Sequence, residues 1–140
     1  MAKNVLKLNE EDKFDFLLFG IVCQLRDYRM CREINVKLEL DLERQEDFDV
    51  FNNKRMEEQG FAFFKYDSED EDQYCLVSNR GPKGLLIPEH KQIDFFLMIR
   101  QGRTQVDNVA VLNSLKEISI VLAAYELDLL NLKSRGNLLF

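Results

Sequence analysis

Gly84-Leu85-Leu86-Ile87-Pro88-Glu89-His90-Lys91-Gln92-Ile93-Asp94 runs directly into Phe95-Phe96-Leu97-Met98-Ile99, and the fold turns on how this stretch is read. Every position from Phe95 to Ile99 is apolar, which predicts a central strand covered on both faces, not an edge strand with one wet face. Gln101-Gly102-Arg103 ends it. Upstream, Arg80-Gly81-Pro82-Lys83-Gly84 predicts a chain reversal, because Pro82 fixes one φ and the flanking glycines permit positive φ. Pro88 then holds Ile87 extended.

Working back from this reversal, Phe61 to Tyr66 and Gln73 to Ser78 are short aromatic and β-branched runs that predict a hairpin. The acidic connection Asp67-Ser68-Glu69-Asp70-Glu71-Asp72 lacks the glycine and terminal glutamate of an EF-hand loop, so it reads as a solvated turn. Working forward, Asp107 or Asn108 caps a helix in which Val111, Leu112, Leu115 and Ile118 share a face. Val121, Ala123, Tyr125, Leu127 and Leu129 then alternate as a strand, although the same letters also prolong the helix. A β-helix-β order over 93–129 implies that its two strands run parallel. The apolar end Asn137-Leu138-Leu139-Phe140 predicts a docked tail.

The first third of the chain predicts a long helix. Asn9 stands as its N-cap before Glu10-Glu11-Asp12, and Phe14, Leu17, Leu18, Ile21, Val22, Leu25 and Tyr28 form one apolar face. Phe16, Phe19, Cys23 and Met30 form a second stripe on the opposite side. Two readings of that stripe stand: burial within one fold, or a subunit interface of a homodimer. From Ile34 the pattern changes to alternation through Val36, Leu38, Leu40 and Leu42, which predicts a strand. Taken together these elements predict a single α+β domain over residues 1–140. A mainly antiparallel sheet of four or five strands packs on the long N-terminal helix and a shorter second helix.

At 140 residues the chain is one domain long, and a domain of that size buries roughly two thirds of its unfolded surface. Its 25 acidic and 19 basic residues leave a net charge of −6, which argues against nucleic acid as a partner. Apolar runs stop well short of a membrane span. Cys23, Cys31 and Cys75 are odd in number and form no C-x-x-C pair, and no apolar signal region follows the first Met, so reduced thiols in a cytoplasmic setting are expected.

Residues that carry chemistry are few. His90 is the only histidine, so no metal site, cofactor or nucleophile scheme is assigned and no catalytic residue is expected. Pro88, Glu89 and Asp94, with Arg80 and Lys83, make up the candidate functional motif. Paired carboxylates can divide proton work where their surroundings separate them. Basic side chains beside exposed glycine N–H groups can also hold an anion or small molecule. Against both stands a structural reading, in which Glu89 and Asp94 anchor the start of the buried strand.

Ile87-Pro88-Glu89-His90-Lys91-Gln92-Ile93-Asp94-Phe95 resembles the motif of the small bacterial IPExxxVDY family, with Ile93 in place of valine and Phe95 in place of tyrosine. Asp27-Tyr28-Arg29-Met30-Cys31, Ser78-Asn79 and the Leu-Leu-Phe end extend the resemblance along the chain. Phe95 lacks the hydroxyl of the family's tyrosine. The resemblance implies no substrate, cofactor or catalytic residue, and it implies a first helix reaching toward Leu38. The functional expectation is a non-catalytic interaction module that self-associates through the N-terminal helix. The alternative is a ligand site around Arg80 to Asp94.

Overall fold

The computed structural model of the protein describes residues 16–52, 57–82, 84–102 and 105–138. Its centre is a six-stranded antiparallel sheet formed by β1 (Leu17–Val22), β2 (Glu43–Arg44), β5 (Phe63–Asp67), β6 (Gln73–Ser78), β9 (Phe95–Arg100) and β10 (Ala123–Leu127). The strand order is β10-β1-β9-β6-β5-β2. Two helices, α1 (Asp27–Leu38) and α2 (Asn108–Glu117), and two small hairpins, β3 (Phe48–Asn52) with β4 (Glu57–Phe61) and β7 (Arg80–Gly81) with β8 (Gly84–Leu85), complete it. The class is α+β with a mainly antiparallel sheet, wider than the four or five strands expected.

β9 is the central strand that its composition predicts, paired with β1 on one side and β6 on the other and buried from Phe95 to Ile99. β9 and β10 both pair antiparallel with β1, so they run parallel to each other with β1 between them. β5 and β6 form the expected hairpin. Its acidic loop is built more tightly than a solvated turn: Asp72 is buried and accepts from the Gly102 N–H. Asp107 caps α2 by accepting from the Val109 and Ala110 N–H groups, at 3.1 and 3.2 Å.

The long N-terminal helix is not what forms. Leu17 to Val22 is a strand, and the first described helix begins at Asp27; Asn9 and Phe14 lie outside the described residues. Two apolar stripes on opposite sides are what an interior strand produces, because successive side chains point to opposite sheet faces. Phe19 and Ile21 join one apolar cluster and Leu18 the other. The expected strand from Ile34 is also corrected. Residues through Leu38 continue α1, whose Met30, Cys31 and Ile34 are buried while Val36 faces out, and Glu39 ends it in a left-handed conformation. The Asn35 side chain then pairs with the Leu42 backbone in both directions, donating at 3.1 Å and accepting at 2.8 Å.

The two faces of the sheet are covered differently. α1 and α2 pack on one, with Met30, Ile34, Leu115 and Ile118 against Phe19, Leu76 and Leu97. Among the described residues the other carries only two short 3-10 helices, Leu129–Asn131 and Arg135–Leu138. It is covered by the loop 86–93, the β3–β4 hairpin and the C-terminal segment, through Leu86, Ile87, Ile93, Phe61, Leu129 and Leu138. Leu138 of the expected docked tail is therefore buried, while Leu139 and Phe140 lie outside the described residues. Gly20 faces this layer, and a Cβ there would come within 2.4 Å of Ile93 Cδ1. Ile93 fits only because position 20 has no side chain. No helix among the described residues is long and apolar enough to cross a membrane.

Candidate functional site

The loop 86–93 is two consecutive turns, closed by the His90 N–H to Ile87 O at 3.1 Å and the Ile93 N–H to His90 O at 3.2 Å. Pro88 is the second residue of the first turn, where its fixed φ suits the geometry. Turns stacked on a sheet cannot satisfy all of their own backbone groups, so side chains must. Asn79 does most of this. It is fully buried, donates through Nδ2 to His90 O (3.0 Å) and Ile93 O (2.8 Å), and accepts at Oδ1 from the Ile87 N–H (2.7 Å). Its backbone accepts from Leu86 and donates to Asp94 O, each at 2.8 Å.

Glu89 and Asp94 do not converge. Glu89 points to the C-terminal segment, where Oε2 accepts from the Ser134 N–H at 2.8 Å, and Asn137 returns a bond from Nδ2 to Leu86 O at 2.9 Å. Partial burial raises the Glu89 carboxyl pKa. Hydrogen bonds from the backbone of Glu89, Ser134 and Lys133 and from the Ser134 side chain outweigh that and hold it below the ordinary carboxylate value. Asp94 turns the other way. Oδ2 accepts from the Cys23 N–H at 2.9 Å and Oδ1 accepts from Arg80 Nε at 2.6 Å, while Arg80 also donates to Lys91 O at 2.9 Å. Asp94 thus joins the end of β1 to β7, and its side chain is only 14% exposed against 55% for Arg80.

Arg80 and Asp94 stand on one wall of an open cleft of about 620 Å³. The other wall is the segment from Cys23 to Asp27 that leads into α1, and Ala62 and Phe95 supply apolar surface. Gln24, Arg26 and Gln92 bring further polar groups to it. Arg26 is the N-cap of α1 and makes no side-chain cap bond. Comparison with models of known protein families finds no match to this chain, and comparison with curated proteins finds none either.

The stripe expected as an interface lies elsewhere than on a helix surface. Phe19, Cys23 and Met30 are within the chain's own core at no more than 1% exposure, and Phe16 is half-buried beneath the Arg100 guanidinium, 5.4 Å from its ring centre. Phe19, Cys23 and Met30 cannot offer a subunit surface, because folding has already covered them, while Phe16 keeps part of its surface exposed. Lys83 lies outside the described residues. Cys31 and Cys75 are free thiols pushed up to about 11, chiefly by burial, which keeps them in the unreactive neutral form. Among the described residues no group of His, Cys, Asp and Glu is placed to hold a metal ion.

Sequence reasoning missed Asn79 and the far wall of the cleft. Asn79 is eight to fourteen residues from its side-chain partners, and an asparagine gives no local sign of that. Its place beside the motif in the family resemblance was the one available signal. Gln24 and Arg26 were hidden by the helix assigned across them.

Proposed function

We propose that this protein acts by binding, and that its ligand site is the cleft between the start of α1 and the Arg80–Asp94 pair. The observation that carries this is the fixed geometry of Arg80, whose guanidinium is held by Asp94 and Lys91 O at the wall of a cleft that also receives Arg26. The two guanidinium groups only donate, the amides of Gln24 and Gln92 both donate and accept, and the carboxylates of Asp27 and Asp94 also line the cleft, Asp94 being engaged with Arg80. The start of α1 adds the partial positive charge of a helix N-terminus, offset in part by Asp27 in its first turn, which accepts from the Tyr28 N–H. A small molecule bearing a carboxylate or phosphate matches that lining, since bidentate recognition of such groups is what guanidinium geometry favours. Asp94 serves in this reading as the group that positions Arg80, not as a proton carrier. Glu89 serves to anchor the tail.

Membership of the IPExxxVDY family is part of the same proposal and rests on Ile87-Pro88-Glu89 and Ile93-Asp94-Phe95. A cytoplasmic setting rests on the three free cysteines, all buried. Titrating the full chain with acetate, succinate and inorganic phosphate while following amide chemical shifts tests the ligand reading. Shifts confined to Cys23–Asp27 and Gln92–Asp94, and lost in Arg26→Gln/Arg80→Gln, are expected. Shifts elsewhere, or shifts that survive in the double variant, contradict it.

A further inference from the structure

The two edges of the central sheet are guarded in different ways. β2 is two residues long, Glu43 and Arg44, both charged and exposed, and Arg44 pairs with Asp47. Short charged edges resist further strand pairing. β10 offers five residues, Ala123-Ala124-Tyr125-Glu126-Leu127, without proline or lysine, and pairs only with β1 among the described strands. Its single charge, Glu126, is turned toward α2, where Asn108 Nδ2 donates to both carboxylate oxygens at 2.8 and 2.7 Å. Leu122 and Tyr125 are 66% and 47% exposed along this edge. They share a depression of about 290 Å³ with Lys116.

We propose that the β10 edge pairs antiparallel with the β10 edge of a second copy of this chain, about a two-fold axis through Ala124. The register follows from size and charge. With Ala124 on the axis, each Tyr125 lies across from the second copy's Ala123, a large ring beside a small side chain, and each Leu122 lies across from Glu126. No two carboxylates are directly opposed, which would be destabilising. Glu126 of each copy instead comes to the side of the depression that holds the other's Lys116. The contact is isologous, so it closes at two copies, and the sheet continues unbroken from one chain into the next. This surface is separate from the cleft and does not depend on it.

Sedimentation equilibrium of the full chain at tens of micromolar, with Leu122→Lys/Tyr125→Lys alongside, tests this. Twice the chain mass for the natural protein, and one chain mass for the variant with an unchanged far-ultraviolet circular dichroism spectrum, is the expected result. A natural protein at one chain mass overturns the proposal, and so does a variant that remains a dimer. Should the double variant fail to fold, Leu122→Ser replaces it: a dimer dissociation constant raised about tenfold supports the edge, and an unchanged constant overturns it.

Discussion

The helix-covered and loop-covered faces of the sheet solve the same burial problem by different means. On the helix face, α1 and α2 satisfy their own backbone groups, so the covering layer needs only apolar side chains such as Met30, Ile34 and Leu115. On the loop face, residues 86–93 are two turns and 129–138 hold two short 3-10 helices, and both borrow partners from side chains: Asn79 for the first, Glu89 and Asn137 for the contact between them. Apolar area holds both faces; on the first, side-chain polar bonds cap the helix ends, as Asp107 and Asn35 do, and on the second they hold the covering layer itself. The cleft opens beside Asn79's neighbour Arg80, and its apolar lining, Cys23, Ala62 and Phe95, belongs to the helix-face cluster.

The largest effects come from one truncation on each face. Phe19→Ala removes a fully buried ring from the helix face and should cost about 3–5 kcal/mol in urea unfolding. Asn79→Ala removes little volume but strands two buried backbone groups, Ile93 O and the Ile87 N–H, and the part-buried His90 O, and should cost about 2 kcal/mol or more, at about 1–3 kcal/mol per buried group. An Asn79→Ala cost well under 1 kcal/mol breaks the contrast, because the loop layer would then be held by apolar contact alone.

A smaller effect separates the faces by pH. The Glu89 carboxyl is held below its ordinary value in the folded chain, so it contributes stability that is fully present above the unfolded value near 4.5. That contribution disappears as pH falls through the lower folded value. Glu89→Gln should therefore be less stable than the natural protein at neutral pH, by about 1 kcal/mol or less because the group is largely exposed. The gap should close in acid. A gap that stays constant with pH assigns the tail contact to shape and not to the carboxylate.

These contrasts also explain what could be read in advance. The β5–β6 hairpin, the all-apolar β9 and the Asp107-capped helix were legible because each is marked by neighbours in sequence. Leu17 to Val22 was not, since an apolar run buried on both faces satisfies helical spacing and strand alternation alike, and only pairing with β9 and β10 decides between them. Ile34 to Leu38 failed in the opposite sense: alternating letters lie on a helix because Met30, Cys31 and Ile34 meet the sheet. In the motif, Glu89 and Asp94 were recognisable as residues with partners to find. That the partners are Ser134 and Cys23, 45 and 71 residues away, is tertiary information.

Native-state hydrogen exchange of Asn79→Ala against the natural protein tests the dependence on this one side chain most directly. The Ile87 amide, which bonds to the Asn79 side chain, and with it the Leu86 amide of the same loop, which bonds to the residue 79 backbone oxygen, should lose protection by a much larger factor than the β9 amides from Phe96 to Ile99. Equal loss in both sets would mean that Asn79 stabilises the whole molecule without holding the loop face in particular, and would contradict the account.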